Sequence, residues 1–179
     1  VRGYEAAGVS VIQIEAQIFP KKCGHTPGRE VIACDEMEKK IKVAVEARTD
    51  PNFLIIARTD ARAAHGIEEA IKRGRKYHDA GADIIFIESP ESDLEFRQIG
   101  EQIDAPLLAN MVEHGRSPIL PTAALKELGF SIAIYPGTAM AAAAAALKSS
   151  YEHIKNTGST IGSETPLMPI PQLHDLMGF

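Results

Sequence analysis

The sequence predicts an α/β fold, a (β/α)8 TIM-type barrel of which the chain covers roughly the last five strand–helix units. Three observations lead there. Five short aliphatic or β-branched runs, at residues 9–15, 53–59, 83–88, 106–110 and 131–135, are almost continuously apolar, as strands buried on both faces of a parallel sheet must be. Helical patterns separate these runs, and such alternation favours a parallel sheet. Finally, each run ends in a group able to bind a charged ligand: Glu15, Arg58-Thr59-Asp60, Glu88, Asn110 and Tyr135. Barrels and open α/β sheets both place their sites at that carboxyl edge.

Residues 1–8 read as the tail of a helix capped by Gly8, with no start signal ahead of it. The chain is therefore expected to open inside a domain. After the first strand, Met37, Ile41, Ala44 and Val45 share one helical face, and Ile67, Ala70, Ile71 and Gly74 do the same after the second. An internal repeat ties the units together. Tyr4-x-x-Ala7-Gly8 leads to Ile12, Ile14 and Glu15, and Tyr77-x-x-Ala80-Gly81 leads to Ile85, Ile87 and Glu88, each pair offset by 73 residues. Leu128-Gly129 before Ile132-Ala133-Ile134 is a third, partial copy. An open doubly wound sheet is the competing architecture. The helical opening and the lack of a glycine-rich phosphate loop after the first strand favour the barrel. Past the last strand, a helix is expected over residues 138–155, rich in alanine and poor in bulk. The tail, 158–179, holds Pro166, Pro169 and Pro171 and reads as an extended segment leading to a short helix at 173–177. The whole of 1–179 is expected to be a single domain.

Composition narrows the function. With 45% hydrophobic and 24% charged residues, the 179-residue chain has an ordinary globular balance. A formal net charge of −5 argues against nucleic acid or an anionic membrane surface as partner. No apolar run reaches the roughly 18 residues that a membrane span needs. Cys23 and Cys34 are too few for a disulfide framework and read as reduced thiols of a cytoplasmic protein.

The densest chemistry lies in Lys21-Lys22-Cys23-Gly24-His25, just beyond the first strand. Cationic neighbours favour a thiolate, and a thiol so placed can exchange a proton or attack an electrophile near neutral pH. The plain alternative is a solvated basic turn with an incidental cysteine. Among the strand-end groups, Asp60 is the one expected to be structural, paired with an arginine.

The motifs Ile14-Glu15-x-Gln17, Lys21-Lys22-Cys23-Gly24-His25, Ala57-Arg58-Thr59-Asp60-Ala61, Glu88, Leu108-Ala109-Asn110 and Tyr135-Pro136 come in this order along nearly the whole chain. Together they resemble the isocitrate lyase/phosphoenolpyruvate mutase superfamily, and the KKCGH run resembles its carbon–carbon lyase branch. The stretch Asn110-Met111-Val112-Glu113-x-Gly115-x-Ser117-Pro118 is closer to the methylisocitrate, dimethylmalate and petal-death-type lyases than to true isocitrate lyases.

That resemblance implies retro-aldol cleavage of a 2-hydroxy di- or tricarboxylate to a 2-oxo acid and a carboxylic acid, with Mg2+ or Mn2+ as cofactor. It also implies a homotetramer in which the helical segment 136–157 is exchanged between subunits. By similarity, Cys23 gives a proton to the carbanion, and Lys22 and His25 set its ionisation. Arg58 offsets developing charge, and Glu88 positions Arg58 or Cys23. Asn110 and Ser117 bind the departing carboxylate. Gly24 frees its loop to close, and Glu15 holds the metal through water. The direct metal ligands and a base for the hydroxyl proton are expected upstream of Val1. One departure stands out: the family's Glu-Asp-Gln is Glu15-Ala16-Gln17 here, one carboxylate fewer. The alternatives are an oxo-acid decarboxylase or a phosphonate or oxaloacetate hydrolase of the same superfamily, or a non-catalytic barrel relative acting in assembly.

Overall fold

A computed structural model describes residues 1–179 as two compact units, residues 1–136 and 137–179. The first opens with α1 (Arg2–Ala6) and β1 (Val11–Glu15), followed by α2 (Cys34–Ala47) and β2 (Leu54–Thr59). Next come α3 (Ala61–His65), α4 (Ile67–Asp79), β3 (Ile84–Ile87), α5 (Asp93–Gln102), β4 (Leu107–Asn110), α6 (Thr122–Glu127) and β5 (Phe130–Ile134). All five strands are parallel and lie in the sheet in chain order, β1-β2-β3-β4-β5. A doubly wound sheet reverses its strand order at a switch point. This one does not, so the winding is that of a barrel wall.

Strand periodicity sorts the residues onto two faces. On one, Ala57, Ile85, Ile87, Leu107 and Ala109 join Met37 and Ile41 of α2, Ile71 and Tyr77 of α4, and Phe96 and Ile99 of α5 in a continuous core. On the other, Ile56, Ile84, Phe86 and Leu108 make a smaller cluster, flanked by Leu54, Ile132 and Ile134. By the same alternation Glu15, Arg58, Glu88 and Asn110 belong to this second face, at its carboxyl end. Ala16 falls on the helical side, fully buried in the larger core. The alanine at the family's missing carboxylate therefore serves packing.

The repeat is a structural unit. Gly8, Gly81 and Gly129 all take positive φ, at 80°, 102° and 90°. Each N–H donates to the carbonyl three residues back, in Glu5, His78 and Lys126. Left-handed glycine ends each helix and turns the chain into the next strand. The expected strand limits shift by one or two residues. α3, α5 and α6 lie in stretches where no periodic face stood out.

In the second unit, α7 spans Thr138–Thr157 and ends at Gly158, again left-handed. A linker leads to α8 (Ile170–Met177), which starts three residues earlier than expected. Its Pro171 lies in the first turn, where the absent N–H costs nothing. The Ile161 carbonyl meets His153 Nε2 at 3.0 Å, and Thr165 donates to Ser149 at 3.0 Å, so the linker folds along α7. No helix is long and apolar enough to cross a membrane.

Candidate active site

Arg58 is the centre of the carboxyl edge. Its register partner on β1 is Glu15, and its guanidinium lies 5.0 Å from the centroid of the Phe86 ring on β3. It donates to Asp60 through Nε at 2.9 Å and Nη2 at 3.0 Å. Nη2 is also 3.1 Å from Glu88 Oε2, and Nε is 3.6 Å from Glu15 Oε2. Burial alone would lower its pKa, but the Asp60 hydrogen bonds and the charges of Glu88, Asp60 and Glu15 outweigh that and raise it. Arg58 is a permanent cation fixed from three sides. Asp60 is structural, as expected, and it also holds Arg29, whose Nη1 lies at 3.1 Å.

Glu88, fully buried, gathers the other expected residues. Asn110 Nδ2 donates to its two oxygens at 3.2 and 3.4 Å. His25 Nε2 lies 3.3 Å from Oε1, close but without hydrogen-bond alignment. The backbone N–H of Arg116 donates to His25 Nδ1 at 3.0 Å. That nitrogen must therefore be the bare one, which places the proton of a neutral ring on Nε2, facing Glu88. Burial pushes the His25 pKa down, and the charges of Arg29, Arg58 and Arg116 push the same way against Glu88. An imidazole held this way favours its neutral form, which leaves Lys21 and Lys22 as the cationic neighbours of Cys23.

The KKCGH loop lies over this cluster. A Cβ on Gly24 would come within 2.6 Å of Arg58 Nη2 and of Glu88 Cδ. Close approach, more than the loop freedom expected for it, is what glycine supplies at that position. Lys22 Nζ donates to the Gly28 carbonyl at 2.7 Å, inside its own loop. Lys21 pairs with Glu15 at 3.1 Å from an exposed position. Cys23 is exposed, one residue from Gly24. Ser117 is buried near the His25 contact, and its Oγ has no partner; Asn110 Oδ1 is in the same state. Buried polar atoms without partners are rare in folded proteins, and here two lie on residues expected to bind a carboxylate.

Sequence reasoning missed Gln17, Ser89, Arg29 and Arg116 as site builders. Only Gln17 was named in a motif, and Arg116 occupied an unassigned position of the 110–118 stretch. Tyr135, by contrast, is exposed.

The fit to a divalent cation is partial. No three His, Cys, Asp or Glu side chains come together to hold an ion, and Asp60 and Glu88 are already spent on arginines. Glu15, paired at its edge with Lys21 and more distantly with Arg58, is the carboxylate best placed for a water-mediated role.

Comparison with known proteins matches residues 1–155 to the phosphoenolpyruvate phosphomutase family model. A 2,3-dimethylmalate lyase of Eubacterium barkeri is 50% identical over 99% of this chain and 62% of its own. A 2-methylisocitrate lyase of Aeropyrum pernix is 42% identical over 100% of this chain and 58% of its own. The crystal structure of a 2,3-dimethylmalate lyase superposes with a TM-score of 0.88 at 37% identity, covering 99% of this chain and 59% of that one. A phosphonopyruvate hydrolase solved with oxalate and Mg2+ superposes at 0.80 and 32% identity, over 98% of this chain and 61% of that one. The chain spans about three fifths of the length of these relatives. With its in-order parallel strands and its ordered motifs, the chain belongs to the phosphoenolpyruvate mutase/isocitrate lyase superfamily.

Proposed function

We propose that the protein is a carbon–carbon lyase that cleaves a 2-hydroxy dicarboxylate or tricarboxylate of the 2,3-dimethylmalate or 2-methylisocitrate type. The observation that carries this reading is the convergence of Arg58, Glu88 and Asn110 with Gly24 and His25 of the loop that bears Cys23. The names of the relatives support the same reaction class.

The chemistry follows from charge. Transfer of the C2 hydroxyl proton to a general base, the one the resemblance places outside these residues, and rupture of the C2–C3 bond give a 2-oxo acid, and the bonding electrons stay on the carbon next to the second carboxylate. Arg58 offsets that developing charge, already oriented by Asp60 and Glu88 so that little reorganisation is needed. Cys23 then gives its thiol proton to the carbanion, which leaves as the saturated carboxylate. The unpartnered Ser117 Oγ can donate to a substrate carboxylate. The unpartnered Asn110 Oδ1 can only accept, as from a substrate hydroxyl, and Asn110 meets a carboxylate through an N–H of Nδ2. Ser117 and the Asn110 amide bind the departing carboxylate, and His25, neutral and held by Arg116, shapes the wall beside the thiol.

Lys21, Arg29 and Arg58 balance Glu15, Asp60 and Glu88, so this set of side chains carries no net charge to spare for an anionic substrate. That favours a divalent cation, Mg2+ or Mn2+, which when bound supplies Lewis-acid stabilisation of the oxo-acid half. Glu15 would hold it through water. The exposed Met140, Leu147 and Tyr151 along α7 favour a helix covered by another subunit, in line with the exchange within a homotetramer that the resemblance implies.

The test is a substrate panel with Mg2+: 2,3-dimethylmalate, 2-methylisocitrate, oxaloacetate and phosphonopyruvate, followed by release of 2-oxo acid and carboxylate. Cleavage of one of the two hydroxy acids is expected. Turnover of oxaloacetate or phosphonopyruvate alone would replace the lyase with a hydrolase of the same superfamily.

A further inference from the structure

Cys23 has an exposed side chain, yet the backbone on both sides of it is pinned. On the amino side, Gln17 grips Lys22 twice: its Oε1 accepts from the Lys22 N–H at 3.0 Å, and its Nε2 donates to the Lys22 carbonyl at 3.0 Å. On the carboxyl side, the Gly24 carbonyl accepts from Arg29 Nη1 and from Ser89 Oγ, the latter at 2.8 Å. Thr26 closes the turn onto the Cys23 carbonyl through both its N–H and its hydroxyl, at 3.0 and 2.7 Å.

The two donors to Gly24 are also the two that reach the charge cluster. Arg29 bonds Asp60, which holds Arg58, and Ser89 lies 3.0 Å from Glu88 Oε1, which also holds Arg58. The contacts form a closed circuit from Gly24 through Arg29, Asp60, Arg58, Glu88 and Ser89 back to Gly24. Ser89 owns a single hydroxyl proton, so the nearer Gly24 carbonyl takes it and Glu88 receives the weaker share. Ser89 also takes φ = 57°, a left-handed conformation that a non-glycine residue rarely adopts. That conformation presents its hydroxyl to the loop. Arg29 is fully buried in its side chain, an expensive location for a cation; Asp60 matches its charge and Nη1 carries both of its bonds, while Nε and Nη2 have no partner.

We propose that Arg29 and Ser89 are positioning residues for the proton donor: sharing the Gly24 carbonyl, they hold the Cys23 loop against the Arg58–Glu88 cluster. The consequence for catalysis rests on the lyase reading above; the clamp itself does not. Neither residue touches the reacting atoms. Their work is to convert the position of Arg58, set by Asp60 and Glu88, into the position of the thiol.

Ser89→Gly removes the hydroxyl while suiting the positive φ. Arg29→Lys keeps a cation beside Asp60 but loses the planar guanidinium whose single Nη1 serves both the Gly24 carbonyl and Asp60. Hydrogen exchange at the Lys22 and Thr26 amides reads the clamp directly. Each variant is expected to speed that exchange by about two- to tenfold, the effect of one lost hydrogen bond, with exchange in residues 84–87 unchanged. In the same variants kcat for 2-oxo acid release should fall with KM unchanged. Unchanged loop exchange in both variants overturns the proposal, as does faster exchange with kcat untouched in a protein that cleaves substrate. If Arg29→Lys also loosens residues 84–87, Ser89→Gly decides. A wild-type protein that cleaves neither hydroxy acid overturns the lyase reading, and the loop exchange still judges the clamp.

Discussion

Asp60 and Glu88 at the carboxyl ends of β2 and β3 are wholly buried and tied to Arg58, whereas Lys21, Lys22 and Cys23, beside the same edge, are exposed. The first group is built like a core. Its charges are matched and its geometry is over-determined, so it can face developing negative charge without moving. The second is built like a surface loop: its backbone is anchored, and its lysines reach only Glu15 at the edge and the Gly28 carbonyl of their own loop. A lyase of the proposed kind needs both, one for fixed electrostatics and one for a thiol that can be approached and left again. The contrast makes unequal predictions for the two groups.

The buried side should be the more fragile. Arg58→Met would leave Glu88 with Asn110 and an uncharged imidazole, and breaking a buried ion pair in this way costs about 3–5 kcal/mol. The midpoint of chemical denaturation should drop accordingly, and a change within the error of the measurement would argue that the cluster is not a structural centre. Gly24→Ala forces a Cβ onto Arg58 and Glu88; overpacking of this kind costs about 1–3 kcal/mol, here mostly in seating the loop. Activity should fall by more than stability does, and an active Gly24→Ala protein would mean that the loop works from another position.

His25 links the two regions and gives a pH signature. Its folded pKa lies below the ordinary value of about 6.5, so the unfolded chain takes up its proton first as the pH falls. The stabilisation is complete above that ordinary value and is lost as pH drops from there toward the depressed folded value. His25→Asn, which can still accept from Arg116 but cannot titrate, should flatten the acid side of the stability profile in that window. An identical slope in the variant would assign the acid sensitivity to the carboxylates. The smallest effect belongs to the exposed side. Lys21→Met removes a surface pair with Glu15 and should cost no more than about 1 kcal/mol, and a larger loss would move Lys21 into the site.

Much of this was legible before any coordinates. Glu15, Arg58, Glu88 and Asn110 could be placed at one sheet edge because all four lie where apolar runs close; that they share a face came from the strand register. The repeat was readable because only glycine serves the left-handed turn at Gly8, Gly81 and Gly129. What stayed hidden depends on contacts distant in sequence. Ser89 reaches Gly24 across 65 positions and Arg116 reaches His25 across 91, and no local pattern encodes either. The reason for glycine at position 24 was likewise unreadable, since it lies in the approach of Arg58 and Glu88. Ala16 looked like a lost charge in a motif, but its burial in the larger core makes it a packing residue.

The two thiols of the chain allow the most direct test of the central claim. Cys23 lies in the loop above the cluster, while Cys34, half-buried at the start of α2, donates to Glu38 at 3.5 Å. Cys23→Ser and Cys34→Ser should be compared for 2-oxo acid release from 2,3-dimethylmalate and 2-methylisocitrate. The account predicts a loss of about a hundred- to ten-thousandfold for Cys23→Ser, the usual worth of a general acid, with Cys34→Ser close to wild type. Full turnover by Cys23→Ser would contradict it.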